Sequence, residues 1–274
     1  MPRSGILLAA LAGTLAACAS VPLGAREQPF RVMTYNIQYG HEGLDSVIAV
    51  IRAEKPDIVG LQELDVHWDQ RSNFVNQAEL LAKGTGMDFR FARIYQLPNA
   101  DPSKPPREFG VGILSRHPIV AFTNHIITRL STQETNPVPA PLPGFLEALV
   151  DVAGTRVRVF DVHLDFRRDP SVRAQQVSDM LGYIGESTMP TLLFGDMNAH
   201  PDAAELQPLF RKLRDTWPYL QGPGLTGPAK APTGKIDYVM MSDGFRVRKA
   251  YVPAVYASDH FPVVVDLVVE KGSR

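Results

Sequence analysis

The stretch Gly195-Asp196-Met197-Asn198-Ala199-His200-Pro201 directly follows PTLLF at 190–194. This apolar run predicts a buried strand. Asp and Asn are unfavourable inside strands, and side chains two residues apart on a strand point the same way. Asp196 and Asn198 therefore place an acceptor-only carboxylate beside an amide that also donates, a pair able to hold a water molecule and a phosphoryl oxygen. An isolated Asp-x-Asn is more simply explained as an Asx turn that closes a strand, so the interpretation depends on the other strand ends.

Polar side chains also stand at or just beyond the ends of other apolar runs. They are Asn36, Glu63, His163, Asp237 and the adjacent Asp259 and His260. Each has a structural explanation by itself, such as a solvated glutamate or a hydrogen-bonded edge histidine. Ligands of sheet-containing enzymes gather at strand ends, so the recurrence of polar ends favours one shared site.

The composition is that of a globular protein rather than a nucleic-acid-binding or disulfide-rich one. The 274 residues are 45% hydrophobic and 21% charged, with a formal net charge of −1. This length suits one large domain or two small ones. There is no overall basic excess, although a local basic patch stays open. The single cysteine excludes an internal disulfide, and the 23 prolines and 21 glycines fall between apolar runs, as in a many-stranded protein.

The first residues have the layout of an export signal. Arg3 precedes an apolar run over 6–17 with small residues toward its end, which is too short to span a bilayer, since that needs about 20 residues. The run ends in Leu15-Ala16-Ala17-Cys18, which resembles a bacterial lipoprotein cleavage site; an ordinary signal peptide with a chance cysteine is the alternative. We expect a signal peptide at 1–17, a lipidated Cys18 with a tether over 18–28, and a catalytic domain over 29–270. This layout predicts a lipid-anchored protein of the bacterial cell envelope, on the periplasmic face. Because Ala19 is not aspartate, we expect transfer to an outer membrane if the host has one.

Consecutive strand patterns predict antiparallel pairing and two packed sheets covered by helices. Strands are expected at 109–115, 118–127, 146–152 and 156–164, the last two forming a hairpin around Ala153-Gly154. Helices are expected near 44–51, 73–83, after Pro170, and around 206–213. Proline-rich loops are expected at 97–107 and 131–144.

Seven stretches together resemble the endonuclease/exonuclease/phosphatase family with its DNase I-like fold. They are TYNI (34–37), GLQE (60–63), GVGILSR (110–116), DVHLD (161–165), GDMNAHP (195–201), KIDYVMMS (235–242) and SDHFPVVVDL (258–267). The resemblance covers about 30–269. It implies an α/β (α+β) four-layer sandwich of two stacked mixed β-sheets flanked by helices, and it is strongest to the metal-dependent hydrolase branch.

The resemblance implies a divalent cation, Mg²⁺ or alternatively Mn²⁺, which prefers oxygen ligands. Glu63 is the leading ligand, helped by Asn36 and Asp259. The absence of cysteine from these stretches argues against a structural zinc site. Gly110-Val111-Gly112 stands where many members have Gly-Asn-Ala, so one oxygen ligand is missing here.

Catalytic roles also follow from the resemblance. Asp196 is expected to align and deprotonate the attacking water, and Asn198 to bind a phosphoryl oxygen. His260 is expected to contact the phosphate with Asp237 orienting its ring, and His163 to face the same phosphate; whether His260 acts as base, acid or electrostatic clamp stays open. Arg107 is a candidate phosphate clamp. His200 is expected to be a turn residue.

Three alternative functions deserve comparison with a metal-dependent phosphoesterase. A serine hydrolase is set aside, because the adjacent Ser258, Asp259 and His260 cannot form a triad and no G-x-S-x-G elbow exists. A non-catalytic surface lipoprotein would be expected to have lost one of the acidic or histidine positions, and none is lost in this sequence. A secreted or envelope nuclease remains open, but near-zero net charge and the expected anchor favour a lipid or small phosphoester. We expect a monomer that contacts the membrane through its N-terminal lipid and forms no stable nucleic-acid complex.

Overall fold

The computed structural model describes Met1 and residues 29–270. Apart from Met1, the expected signal peptide, Cys18 and the tether lie outside the described residues. No helix among the described residues is long and apolar enough to cross a membrane.

Two mixed sheets of six strands each form the centre of the fold. The first has the order β11-β12-β1-β2-β4-β3 and the second β5-β6-β7-β8-β10-β9. The parallel pairs are β1 with β2 and β7 with β8. The strands are β1 Pro29–Asn36, β2 Ile58–Val66, β3 Asp88–Leu97, β4 Arg107–Ser115, β5 Ile119–Leu130, β6 Pro139–Val152, β7 Thr155–His163, β8 Thr191–Asp196, β9 Arg214–Asp215, β10 Asp237–Met241, β11 Phe245–Tyr251 and β12 Val263–Val269.

Helices cover the outer face of each sheet. On the first sheet, α1 (Leu44–Glu54) and α2 (Gln77–Thr85) pack on the outward side chains of β1 and β2. On the second, α3 (Ser171–Ile184) and α4 (Gln207–Lys212) cover β7, β8 and β10. A third apolar core lies between the sheets. The predicted four-layer sandwich of two stacked mixed sheets flanked by helices is confirmed.

The period of two along each strand connects this central core to the site. Val32 of β1, Val159 of β7 and Phe194 of β8 all face the neighbouring sheet and are fully buried. Continuing each row by two residues at a time reaches polar side chains. These inward-facing polar residues at the strand ends are Asn36, Gln62, Asp161, His163, Asp196 and Asp237.

The expected loop at 131–144 is wrong over its second half, because 139–144 belongs to β6. Pro139, Pro141 and Pro143 pair with β5, whereas β7 begins its pairing only at Phe145. Alternate residues direct their N–H groups to the same edge of a strand. The three prolines therefore lack N–H groups only on the free edge, where proline is tolerated.

Three other boundaries also differ from expectation. The helix predicted from Asn73 begins at Gln77, because Asn73 and Phe74 have φ of 52° and 54° and Asn76 is the N-cap. The loop expected to include Arg107 ends before it, since β4 begins there. Finally, β2 does not close at Glu63 but continues to Val66.

Candidate active site

Glu63 reaches the site through a break in strand pairing. The register between β2 and β4 shifts between Leu61 and Leu64, and Glu63 has φ of 61°. Such a bulge adds a residue and re-aims the side chain. Glu63 is consequently half-buried and hydrogen-bonded to Asn36 instead of following the strand alternation.

Asn36 links the carboxylates of the two sheets. Its Nδ2 donates to Glu63 Oε1 of the first sheet and to Asp196 Oδ2 of the second, both at 3.0 Å. Its Oδ1 accepts the Gln38 N–H at 3.0 Å. The amide therefore directs its donors to the two carboxylates and uses its oxygen on the backbone.

Asp196 is the centre of the polar cluster and is only 1% exposed. Its Oδ1 accepts the Asn198 N–H at 2.9 Å. Its Oδ2 lies 3.5 Å from His163 Nε2 and 3.7 Å from His260 Nε2. Burial and the neighbouring Asp237 carboxylate raise the pKa of Asp196, while the two histidines oppose the rise. One oxygen is thus oriented by the backbone while the other faces both histidines.

His260 is held by Asp237, which is paired with Asp196 across β10 and β8. His260 Nδ1 lies 2.9 Å from Asp237 Oδ2. Burial lowers the pKa of His260, but Asp237, Asp196 and Asp259 outweigh this and raise it to about 10. The imidazole is therefore protonated at neutral pH, with its Nε2–H directed towards Asp196.

Asn198 and Asp259 complete the group. Asn198 has φ of 48°, and its Nδ2 donates to the Leu164 carbonyl at 3.0 Å. Asp259 is exposed; burial of part of its surface raises its carboxyl pKa, His260 opposes the rise and Glu63 adds to it. The effect of Glu63 on the pKa of Asp259 is consistent with the two carboxylates lying near one another.

The residues fit a hard divalent cation. The carboxylate oxygens of the cluster are the ligand type that suits Mg²⁺ and Mn²⁺. Asp196, Asp237 and His260 offer ligand atoms within 4.8 Å of one another. Asp237 Oδ1 is buried and has no hydrogen-bond partner within the described chain. An unpartnered buried carboxylate oxygen is costly unless a positive group meets it.

Ser258 supports the site without the geometry of a nucleophile. Its Oγ donates to the Asn36 carbonyl at 2.7 Å, which joins the segment before His260 to the end of β1. The hydroxyl is used in this backbone contact, consistent with setting aside a serine hydrolase.

Arg107 is not brought to this cluster. It lines a separate cavity of about 530 Å³ with His67, Phe74 and Lys104, and its guanidinium lies 5.8 Å from the Trp68 ring centroid. Arg71 and Arg129 instead line a cavity together with Glu63 and His163. The sequence signal for Arg129 is a lone cation within the apolar run of β5; for Arg71 we find none.

Two buried polar residues behind the cluster also escaped the sequence reasoning. Gln62 donates to Asp161 Oδ1 at 2.6 Å and to Thr34 Oγ1 at 3.1 Å. Burial raises the pKa of Asp161 well above its usual range, against the Gln62 bond and backbone N–H groups that lower it. Only the stacked sheets show that these side chains bond to one another.

A profile of the endonuclease/exonuclease/phosphatase family matches residues 33–260. The chain belongs to this family. All three activities in the family name hydrolyse phosphoesters. At the level of the family, the protein is therefore a phosphoester hydrolase. No curated protein sequence matches the chain.

Solved structures of the family have the same fold. An endonuclease/exonuclease/phosphatase from Beutenbergia cavernae is 25% identical with a TM-score of 0.71, over 89% of this chain and 72% of that one. The mannosyl-6-phosphatase of Bacteroides thetaiotaomicron is 17% identical with a TM-score of 0.65, over 87% of this chain and 99% of that one. The human Nocturnin catalytic domain with a bound sulfate anion is 21% identical with a TM-score of 0.63, over 87% and 93%.

The departure from the family pattern at Gly110-Val111-Gly112 has a packing explanation in this chain. Val111 is fully buried in the core between the sheets. A Cβ at 112 would lie 2.6 Å from Leu64 Cδ1 and 3.2 Å from the Arg90 carbonyl oxygen. This segment therefore serves close strand packing and offers no side-chain oxygen to the site.

Proposed function

We propose that the protein is a divalent-metal-dependent phosphoesterase that hydrolyses a lipid or small phosphoester at the bacterial cell envelope. The observation that carries the proposal is the environment of Asp196. Its carboxylate faces two histidines, is hydrogen-bonded by Asn36, and lies across that amide from Glu63.

In this proposal, Asp196 aligns the attacking water and accepts its proton. Its Oδ1 is fixed by the Asn198 N–H, and its raised pKa brings it nearer to that of an effective base. The protonated His260 donates its Nε2–H to a phosphoryl oxygen, and Asp237 holds the ring on the opposite side. His163 faces the same space from the end of β7 and assists the leaving oxygen.

Glu63 and Asp259 would hold the cation, with Asn36 fixing the Glu63 carboxylate. Mg²⁺ or Mn²⁺ bound there would offset negative charge on the phosphoryl and leaving oxygens. Asn36 also lies between Glu63 and Asp196. The carboxylate that would bind the cation is therefore separate from the carboxylate that acts as base.

Turnover of bis(4-nitrophenyl) phosphate with Mg²⁺ tests the proposal. Glu63→Gln should move the metal titration to higher concentration, because a charged ligand is lost. Asp196→Asn should lower turnover by about 10²–10⁴-fold while leaving metal binding nearly intact. Glu186→Gln and Asp243→Asn are matched controls, since these side chains are 97% and 100% exposed. Full activity in excess EDTA would overturn the metal requirement, and undiminished turnover of Asp196→Asn would overturn its role as base.

We favour lipids and small phosphoesters as substrates because of the net charge of −1 and the expected anchor. A screen should compare phospholipids, sugar phosphates and DNA; the mannosyl-6-phosphatase among the similar structures makes sugar phosphates a necessary arm. Preferential cleavage of DNA would replace the proposal with an envelope nuclease.

We also propose that Cys18 carries the lipid anchor after removal of 1–17. The support is the Leu15-Ala16-Ala17-Cys18 sequence and the position of the only cysteine. Membrane fractionation of wild type and Cys18→Ser, with mass spectrometry of the mature N-terminus, tests it. We expect lipidated wild type in the membrane and a released variant; cytoplasmic wild type that keeps Met1 would end the localisation proposal.

A further inference from the structure

A cavity of about 190 Å³ opens directly beside the proposed catalytic residues. Glu63 and His163 form part of its wall, so the alcohol group of a phosphoester bound between them can enter it. Pockets for drug-sized ligands measure roughly 300–1,000 Å³. This cavity is smaller and suits a single ring.

The wall is rigid before any ligand binds. The rings of Tyr95 and Phe109 are nearly parallel, with centroids 6.3 Å apart. Tyr95 Oη accepts the Thr132 N–H at 3.0 Å, which holds the following loop against the ring. Arg71 makes two bonds of 2.9 Å to the buried Asp65. Groups fixed in this way lose little freedom on binding.

Arg129 is the unusual member of the wall. It is only 6% exposed, and it donates to the carbonyls of Pro143, Gly144 and His163 at 2.8–2.9 Å. An arginine has five N–H donors, so two are left over. Within residues 29–270, no carboxylate accepts a hydrogen bond from it. Burial lowers the pKa of Arg129 to about 10, which keeps it charged at neutral pH.

The nearby charges do not cancel this cation. Asp165 also lines the cavity, but it is bonded to the guanidinium of Arg167. Asp65 is likewise occupied by Arg71. Of the two guanidinium groups that line the cavity, Arg71 is paired with a carboxylate and, among the described residues, Arg129 is not, and the lining carboxylate of Asp165 is taken by Arg167. Glu63, at the catalytic end, is the proposed cation ligand and does not supply the missing partner.

We propose that this cavity binds the alcohol part of the substrate and that Arg129 selects single-ring polyols carrying a second anionic group. The preferred substrates are then phosphorylated polyol phosphoesters, either free or as a lipid head group. This inference rests on the proposed phosphoesterase function. In the reaction, the water oxygen forms the new P–O bond, the bond from phosphorus to the substrate's alcohol oxygen breaks, and that oxygen leaves with a proton.

Matched substrate pairs that differ by one phosphate test the selectivity in the wild type. The soluble pair is glucose 1,6-bisphosphate and glucose 1-phosphate, compared by loss of the phosphate at position 1, which both carry. The lipid pair is phosphatidylinositol 4-phosphate and phosphatidylinositol in detergent micelles, compared by cleavage of the head-group phosphodiester, which both carry. A charge-assisted hydrogen bond to the second phosphate predicts a preference in kcat/KM of roughly 10-fold or more, mainly through KM. The pair that shows the preference identifies the free or the lipid source.

Variants of Arg129 separate selection from a structural role. Arg129→Met should abolish the preference, whereas Arg129→Lys should retain part of it because the charge remains. Arg107→Met is the matched control, since Arg107 lines the other cavity, and it should keep the wild-type ratio. If Arg129→Met does not fold, the wild-type ratios and Arg129→Lys decide the question.

The outcomes distinguish this inference from the proposed function. Equal kcat/KM within both pairs, together with turnover of bis(4-nitrophenyl) phosphate, would overturn the role of Arg129 and leave the phosphoesterase intact. A ratio that survives unchanged in a folded Arg129→Met protein would overturn it as well. Wild type that turns over none of these substrates with Mg²⁺ would overturn the proposed function itself.

Discussion

Replacing Asp237 with Asn separates two roles that the structure allows for this carboxylate. Asp237 Oδ2 lies 2.9 Å from His260 Nδ1, which makes it the orienting partner of that ring. The same residue offers an oxygen within 4.8 Å of the ligand atoms of Asp196 and His260, as a metal ligand would. We expect the first role, because the contact with the imidazole is direct.

The size of the effect follows from burial of the pair. The side chains of His260 and Asp237 are 12% and 0% exposed. A hydrogen bond involving a charged group contributes about 1.5–3 kcal/mol, so Asp237→Asn should lower kcat/KM by about 10- to 150-fold. His260→Ala should cost about 10²–10⁴-fold. Because Asp237 acts through His260, the double variant should be little worse than His260→Ala alone.

The assay is turnover of bis(4-nitrophenyl) phosphate over a range of pH and Mg²⁺ concentration, with Asp243→Asn as the control. Removing the Asp237 charge lowers the pKa of His260, so the alkaline limb of the pH–rate profile should move to lower pH. The Mg²⁺ midpoint should stay in place. Losses that simply multiply in the double variant would refute the pairing, and a tenfold shift of the Mg²⁺ midpoint would instead assign Asp237 to the metal.

Three further predictions concern the stability of the fold around the site. Gly195→Ala should lower the free energy of unfolding by about 1–3 kcal/mol in denaturant titration, because a Cβ would lie 2.3 Å from the Val162 carbonyl oxygen; an unchanged midpoint would contradict this. Asp161→Asn should become more stable relative to wild type as pH rises above the ordinary aspartate pKa of 3.8, because the unfolded wild type then loses the proton that the folded, buried carboxyl keeps; a constant difference would count against a neutral Asp161. In EDTA, the contribution of His260 to stability should be complete below its ordinary pKa of 6.5 and disappear as pH rises through about 10, because the folded state holds the proton more tightly; thermal unfolding of wild type beside His260→Ala measures the difference.

The sequence by itself determined which side chains reach the site edge, and the reason is the period of two along each strand. In the strand that begins with 190–194, alternate residues face the core, and the same alternation continues to Asp196. The face that is buried therefore also fixes the side on which Asp196 lies. The same reasoning applied to β1, β7 and β10, and it predicted the strand ends bearing Asn36, His163 and Asp237. The resemblance of the motifs to the family predicted a four-layer sandwich, and the structure confirms it.

Only the tertiary structure decided how these ends meet and what surrounds them. Asn36 bonds both Glu63 and Asp196, which lie 27 and 160 positions away along the chain, so this contact depends on how the two sheets stack. Glu63 itself is aimed by a bulge whose register involves β4, a strand from another part of the chain. Arg129 becomes a wall of the site because carbonyls of β6 and β7 fix it there, while Arg107 is carried to another cavity. Local periodicity encodes the face on which a side chain lies, but the partners across the sheets are set by long-range packing, which no window of sequence contains.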